Sequence, residues 1–428
     1  MISFAEQAHT LVRDGFLYSL LAPLGVEEDD IPPAGDRRLE NILGKVLDGG
    51  RLSREDALYL ASVEGPDLLS LVAAAKAVRE RAKGRVVTYS KNVFVPLTTL
   101  CRDNCSYCTF KTEPDEGPLF VPPDDVVRMA ARGSELGCTE LLFVTGDKPE
   151  KKYKVYRDAL AGMGYSSTAE FAAAMSRAVL ERGIFPHTNL GVLERDELEE
   201  LRKTNPSMGL MLETVSERLL AKGEAHYGSP DKVPAVRMRT IAEAGELRIP
   251  WTSGILVGIG ETWEERIDSL IALERVDAEY GHIQEIIIQN FSPKPGIPME
   301  RWPVPSVADM VKTVAIARLL FPDKMNIQVP PNLNSDQYPL YVVAGANDLG
   351  GVSPITIDYV NPEAPWPQVD KMEEMVGRLG LELRERLPVY PDYLNRDYLT
   401  GELYAKAAAI VDGDGYLPKE ARSNAERC

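Results

Sequence analysis

The chain has 428 residues, 44% of them apolar and 26% charged. That is the balance of a folded globular protein, not of a disordered, collagenous or disulfide-stapled chain. Lys and Arg number 48 against 65 Asp and Glu, a net charge of −17, which argues against nucleic acid or an anionic membrane as partner, since both need basic patches. Residues 1–35 end in the acidic, proline-rich run Glu27-Glu28-Asp29-Asp30-Ile31-Pro32-Pro33 and are expected to form a poorly ordered leader. Their apolar stretches are broken by Glu6, Arg13 and Asp14, without the pattern of a secretory signal. No run approaches the roughly 18–20 apolar residues that span a bilayer. The expectation is a cytoplasmic protein with reduced thiols.

Residues 36–85 read as a helical extension. Ser53-Arg54-Glu55-Asp56 resembles a capping start, and Leu68, Val72, Ala75 and Val78 recur at helical spacing. From 86 to 360 short apolar runs alternate with longer amphipathic ones. Strands are expected at 93–97, 140–144, 184–190, 208–212, 251–257, 284–289, 325–329 and 348–352. Helices are expected near 124–136, 168–182, 195–202, 233–245, 262–279, 305–320 and 335–344. About eight strand-then-helix units call for an α/β fold with a parallel sheet. Without a dinucleotide fingerprint the expectation is a TIM-type (βα) barrel, full or partial, with its active residues at the C-terminal strand ends. The polar clusters sit there: Thr98 and the cysteines, Thr145-Gly146-Asp147, Glu213-Thr214, and Gly258 to Glu261. Residues 361–428 form a C-terminal segment with Pro-Trp-Pro, several tyrosines and a helix near 404–411. It is expected to pack over one end of the barrel, with its last dozen residues disordered.

Three of the five cysteines, Cys101, Cys105 and Cys108, form C-x3-C-x2-C in one short segment. Cys138 reads as a core thiol and Cys428 as a chain end. Structural zinc sites want four ligands, and His9, His187, His226 and His282 are all distant and isolated. Three thiolates suit a 4Fe-4S cluster with one iron left open to a ligand. Zinc with a remote fourth ligand, or three unligated thiols, are the alternatives.

C-x3-C-x-aromatic-C at the end of a first barrel strand resembles the radical S-adenosylmethionine (SAM) superfamily. Further motifs narrow the likeness. They are Thr145-Gly146-Asp147-Lys148-Pro149-Glu150, Met208-Gly209-Leu210-Met211-Leu212-Glu213-Thr214, and His226-Tyr227-Gly228-Ser229-Pro230-Asp231-Lys232. Gly254 to Thr262, Gln289-Asn290-Phe291, Pro330-Pro331-Asn332-Leu333 and Gly350-Gly351-Val352-Ser353-Pro354 complete the set. From about residue 50 to 395 the order is similar to subunit 1 of the FO synthase family. One departure is His187-Thr188-Asn189-Leu190-Gly191, where that family usually reads His-x-Asn-Pro-Gly. No second cysteine loop is present, so the chain is expected to carry one half of the family's chemistry.

The resemblance implies a lyase that uses one 4Fe-4S cluster and SAM to generate a 5′-deoxyadenosyl radical. The implied substrate is 5-amino-5-(4-hydroxybenzyl)-6-(D-ribitylimino)-5,6-dihydrouracil. It would be closed, with loss of ammonia, to the deazaflavin 7,8-didemethyl-8-hydroxy-5-deazariboflavin (FO). Cys101, Cys105 and Cys108 would hold three irons. Tyr107 would lie near the adenine, Thr145, Gly146 and Asp147 would meet the SAM ammonium, and Glu213 and Thr214 the ribose or methionine. Gly258 and Glu261 would let backbone approach the adenine. His187, Asn189, Gln289, Asn290 and Asn332 would face the substrate, with His187 the candidate base. His226-Tyr227 and Asp231-Lys232 lie on a loop that would fold over the site, and His282 reads as structural. Implied partners are the small-molecule substrate, the sister FO synthase subunit and a reductant such as flavodoxin or ferredoxin. The rival readings are the sister subunit itself, a futalosine-pathway radical SAM enzyme, or a non-enzymatic iron–sulfur carrier.

Overall fold

A computed structural model describes residues 19–21, 24 and 37–419. The expected leader and the last dozen residues fall largely outside these. Three helices come first: α1 (Arg37–Leu47), α2 (Arg54–Ala61) and α3 (Pro66–Lys83). Ser53 starts α2 with a reciprocal capping box to Asp56. Helix α3 buries Leu68, Leu71, Val72, Ala75 and Val78.

The barrel follows as β1 (Val86–Thr98), α4 (Pro123–Glu135), β2 (Glu140–Thr145), α5 (Pro149–Lys152), α6 (Lys154–Gly162), α7 (Thr168–Leu180), β3 (Phe185–Asn189), α8 (Arg195–Leu201) and β4 (Ser207–Gly209). It continues with α9 (Pro234–Glu246), β5 (Trp251–Val257), α10 (Trp263–Tyr280), β6 (Ile283–Asn290), α11 (Val307–Leu320), β7 (Asn326–Gln328), α12 (Tyr338–Val343) and β8 (Asp348–Val352). Strands β1 to β8 run parallel in sequence order, and β1 pairs with both β2 and β8, so the sheet closes. The β-branched and leucine-rich runs of β5 and β6 are buried, as expected for strands covered on both faces. Helix α3 packs against α11, which extends the helical layer around the barrel.

Three details differ from the sequence reading. Strand β1 is thirteen residues long, from Val86 to Thr98, because Thr88, Ser90 and Asn92 are polar residues buried in a strand. Strand β4 has only three residues, because its regular pairing with β5 breaks after Gly209 and resumes only as a single bridge, Glu213 with Ile255, where Glu213 has φ 66°. Helices α5 and α6 occupy a stretch without clear apolar periodicity.

The chain after β8 adds α13 (Val369–Arg378), β9 (Glu382–Glu385) and α14 (Gly401–Ala408). Strand β9 pairs parallel with the start of β1, Val86 to Tyr89. The next residues plug the barrel floor. Arg386 donates to both oxygens of Asp348 (2.7 and 3.0 Å) and to Glu285 (3.0 Å), and Tyr390 donates its hydroxyl to Glu285. Glu140 lies in the same layer, bonded by Ser90. Burial pushes Glu285 up to about 7, since three carboxylates share one guanidinium there. Among the described residues no helix is long and apolar enough to cross a membrane.

Candidate active site

The cysteine loop leaves β1 at the open end and is held from two sides. Arg102 N–H donates to Asp147 O (2.9 Å), beyond β2. From the loop after β4, Ala225 O accepts Ser106 N–H (2.8 Å), Ser229 Oγ accepts Asn104 N–H (3.0 Å), and Asp231 pairs twice with the Arg102 guanidinium. The loop after β4 therefore does fold against the cysteines. Gly146 makes this approach possible: a Cβ there would lie 2.1 Å from Leu100 O.

Cys101, Cys105 and Cys108 are free thiols that line one cavity of about 230 Å³. Asp147 N–H donates to Cys101 Sγ (3.1 Å), and Ser229 Oγ lies 3.5 Å from Cys105 Sγ. Burial pushes the Cys105 thiol up to about 11 and Cys101 higher, while Lys232 works the other way on Cys105. Three thiols on one cavity, two with hydrogen-bonding neighbours and one facing a cation, fit a cluster bound by three protein ligands. Cys138 is buried and lies 3.6 Å from Asn92 O, a core thiol as the sequence predicts.

A second cavity of about 180 Å³ adjoins the first at Cys108. Tyr107, Asn189, Glu213, Gln289 and Asn290 all line it, so the strand ends bring five expected residues together. Glu213 accepts from Lys232 Nζ (2.7 Å), with both side chains about 11% exposed. Burial works to raise the Glu213 carboxyl, but Lys232 and Arg237 outweigh it and hold the group below the usual range. A third cavity of about 170 Å³ lies deeper in the barrel and shares Gln289 and Asn361 with the second. Asn332 lines this one.

Other expected residues serve the framework instead. Glu261 accepts from the N–H groups of Gly258 and Ile259 and pairs with Arg266 at 2.7 Å. Its carboxylate is spent on its own turn, which corrects its expected role beside a cofactor. Gly258 (φ 95°) serves that turn too, with the Pro305 ring 2.8 Å from where a Cβ would be. Thr214 Oγ1 accepts Ser216 N–H and is buried. Asp147 accepts Val192 N–H (2.7 Å) and lies 3.5 Å from Arg237. Burial and the neighbouring Asp103 and Asp231 hold Asp147 up at about 7 despite Arg237. It braces the chain after β3, where Gly191 leaves no room for a Cβ beside Asp147 and Leu190 is buried. Thr145 is buried at the end of β2 with Oγ1 unpartnered.

His187 lies inside the barrel. Its Nδ1 is 2.7 Å from Ser207 Oγ, whose proton goes to Pro388 O at 2.7 Å. Nδ1 therefore donates and Nε2 is left as an acceptor. Burial, and then Arg386, lower its pKa to about 3, so the ring is neutral. His282 is fully buried on Ile241 O, a framework residue as expected. Asp103, Asp147 and Asp231 form a tight acidic group, but Arg102 and Arg237 pair within it, so it is an ion network that braces the loop. Sequence reading missed Arg237, which nothing on α9 marks out. It also missed Asn361 and Asn92, although a polar residue alternating with Ser90 in an apolar strand was a signal for the latter.

The sequence model of the Radical SAM superfamily matches residues 95–272. The 7,8-didemethyl-8-hydroxy-5-deazariboflavin synthase of Methanopyrus kandleri is 48% identical over 333 residues, 77% of this chain and 99% of that protein. The chain belongs to the FO synthase family of radical SAM enzymes. The enzyme of the same name from Methanothermobacter thermautotrophicus is 49% identical over 73% of this chain and 94% of its own. The FO synthase of Streptomyces coelicolor is 44% identical over 91% of this chain, which spans 47% of that longer protein. Among solved structures the fold is similar to methylornithine synthase (TM-score 0.64, 21% identity, 80% of this chain and 97% of that one). It is also similar to the hydrogenase maturase HydG of Carboxydothermus hydrogenoformans (TM-score 0.66, 19% identity, 99% and 98%).

Proposed function

We propose that this FO synthase family member closes the central ring of the deazaflavin chromophore. It would convert 5-amino-5-(4-hydroxybenzyl)-6-(D-ribitylimino)-5,6-dihydrouracil to FO with loss of ammonia and of two hydrogens, one taken as a hydrogen atom by the 5′-deoxyadenosyl radical and the other leaving as a proton and an electron that would pass back to the cluster, as a lyase. The observation that carries this reading is the line of three adjoining cavities. It runs from the thiols of Cys101, Cys105 and Cys108, past Glu213 and Gln289, into the polar lumen. The three thiols would hold the cluster, which with SAM supplies a 5′-deoxyadenosyl radical.

The chain's own residues do the positioning. Tyr107 and Glu213 would bind SAM, with Glu213 kept ionised by Lys232 and ready to accept hydroxyl or ammonium hydrogen bonds. Asn189, Gln289 and Asn290 would hold the reacting edge of the substrate where the middle and deep cavities meet. His187, the base expected from the sequence, lines none of these three cavities, and with its pKa lowered to about 3 it is a weak base, so the deprotonating group is not assigned to it. The sister subunit would make the substrate, flavodoxin or ferredoxin would supply the electron, and the protein would work in the cytoplasm, where thiols stay reduced.

The test is anaerobic reconstitution with iron and sulfide, then SAM, reductant, the sister subunit, tyrosine and the ribityl diaminouracil. Appearance of 5′-deoxyadenosine and fluorescent FO supports the reading. A chain that binds only zinc and never cleaves SAM overturns it.

A further inference from the structure

The middle cavity also holds a lysine. Lys294 lies on the loop after β6 and lines that cavity with Cys108, Glu213 and Gln289. The loop is tied down on both sides of it. Phe291 N–H donates to Val257 O (2.8 Å), Gly296 N–H to Glu300 (3.0 Å), and Met299 N–H to Ser106 O in the cysteine loop (3.2 Å). The Lys294 side chain is only 8% exposed, and its Nζ makes two long contacts. Ser292 O accepts at 3.4 Å, and a Glu363 oxygen lies 3.8 Å away. An ammonium carries three donors. Buried behind long contacts, it recovers little of what its desolvation costs. A ligand in the cavity would supply the acceptor that the chain does not.

The other ionisable groups that line the middle and deep cavities among the described residues are engaged elsewhere. Cys108 belongs with the cluster thiols. The Tyr107 phenol shares a hydrogen bond with His226. Glu213 is ionised and accepts from Lys232. Asp358 accepts the side-chain amides of Asn332 and Asn361 on one oxygen and the N–H groups of Val360 and Asn361 on the other. Lys294 is therefore the group on these two cavities with a proton to give.

We propose that Lys294 is the catalytic acid that protonates the departing amine. An amine leaves as ammonia only when a proton reaches its nitrogen. In this elimination the electron pair of a C–H bond, on the carbon next to the one that bears the amine, becomes the new C=C bond. The C–N bond breaks, its pair stays on nitrogen, and Lys294 Nζ supplies the last hydrogen of ammonia. The proton lost from carbon goes to solvent, and one returns to Lys294 by way of Glu363, which is 45% exposed. No electron is gained or lost in the step. The assignment rests on the substrate proposed above and names a proton donor for it.

The test compares Lys294→Met and Lys294→Arg with the parent. Each is reconstituted with iron and sulfide and given SAM, reductant and the substrate made in place by the sister subunit. The readout is FO formed per 5′-deoxyadenosine, with iron content and SAM affinity measured separately without substrate. Lys294→Met should lower the ratio at least about tenfold, and mass spectrometry should find material that keeps the amino nitrogen. Iron content and SAM affinity should stay with the parent. Methylammonium should raise the ratio in this variant and not in the parent. Lys294→Arg keeps the charge but holds its proton too tightly to give it, so its ratio should stay low. If Lys294→Met fails to fold, Lys294→Gln takes its place. A ratio within about twofold of the parent in either variant, no response to methylammonium, or a loss of iron and SAM affinity in step with FO overturns the inference. A parent that cleaves SAM yet makes no FO overturns the substrate reading instead.

Discussion

The phenol of Tyr107 and the imidazole of His226 meet at 3.0 Å, edge to face, and so join the cysteine loop to the loop after β4. Burial, then Lys232, lower the His226 pKa to about 3, and burial raises that of Tyr107. The ring is neutral and the phenol keeps its proton, so the two share one hydrogen bond between neutral groups. Tyr107→Phe keeps the packing and removes only that bond, a loss of about 1 kcal/mol. The KM for SAM should rise about fivefold, with iron and sulfide content unchanged.

Cys105→Ala should abolish cluster assembly and leave the fold intact. The cysteine is only partly buried, and its loop hangs from backbone hydrogen bonds rather than from the core. Iron and sulfide after reconstitution should fall to background while the circular dichroism spectrum and melting temperature stay with the parent.

The Lys232–Glu213 pair is buried on both sides. Lys232→Met strands a carboxylate beneath the middle cavity and should cost about 3 kcal/mol of stability in denaturant titration. Adding Glu213→Gln should recover much of this, because the stranded charge is gone. SAM binding should remain weak in the double variant, which separates folding from recognition.

His282 gives a pH prediction with a definite sign. Burial holds its folded pKa at about 4, below the ordinary value near 6.5. Between these values the unfolded chain holds a proton that the folded chain lacks. Stability therefore falls as pH drops from about 6.5 toward 4, by up to about 1.4 kcal/mol per pH unit for this one group. Glu285, raised to about 7, slopes the other way, so the measurement must be differential. The parent minus His282→Gln, by denaturant titration across this range, should show the slope.

Gly146→Ala tests the close approach of β2 to the cysteine loop. The added methyl would meet Leu100 O at 2.1 Å and Cys101 Cβ at 2.5 Å. Leu100 O is backbone and the Cys101 Cβ is fixed directly to backbone, so neither gives way by a rotamer change and the loop must shift. Cluster content and SAM cleavage should drop together, by at least about tenfold, with less effect on the melting temperature.

Much of the barrel was legible because buried parallel strands advertise themselves as β-branched runs, as in Ile255-Leu256-Val257 and Ile286-Ile287-Ile288. The cysteine loop was legible because three thiols so close together have few uses. The full length of β1 was hidden by its own function: Thr88, Ser90 and Asn92 break the apolar pattern because they are polar and buried within the barrel. Glu261 misled for a different reason. Spacing locates an acid after a glycine turn but does not show that the acid closes that turn on itself. The roles of Arg237, Arg386 and Asn361 depend on contacts far apart in sequence, such as Arg386 with Glu285, and no local pattern encodes those.

The position of Arg386 bears on how the molecule is made. Its carboxylate partners on β6 and β8, with Glu140 of β2 nearby, precede it in the chain, and β8 ends at Val352. During synthesis the last barrel strand emerges more than thirty residues before the cation that neutralises the floor. Until then the acids must stay hydrated or protonated, and a closed barrel holds them at a cost. The tail acts as a latch on assembly, so a nascent chain halted before residue 386 should remain open, protease-sensitive and dependent on a chaperone.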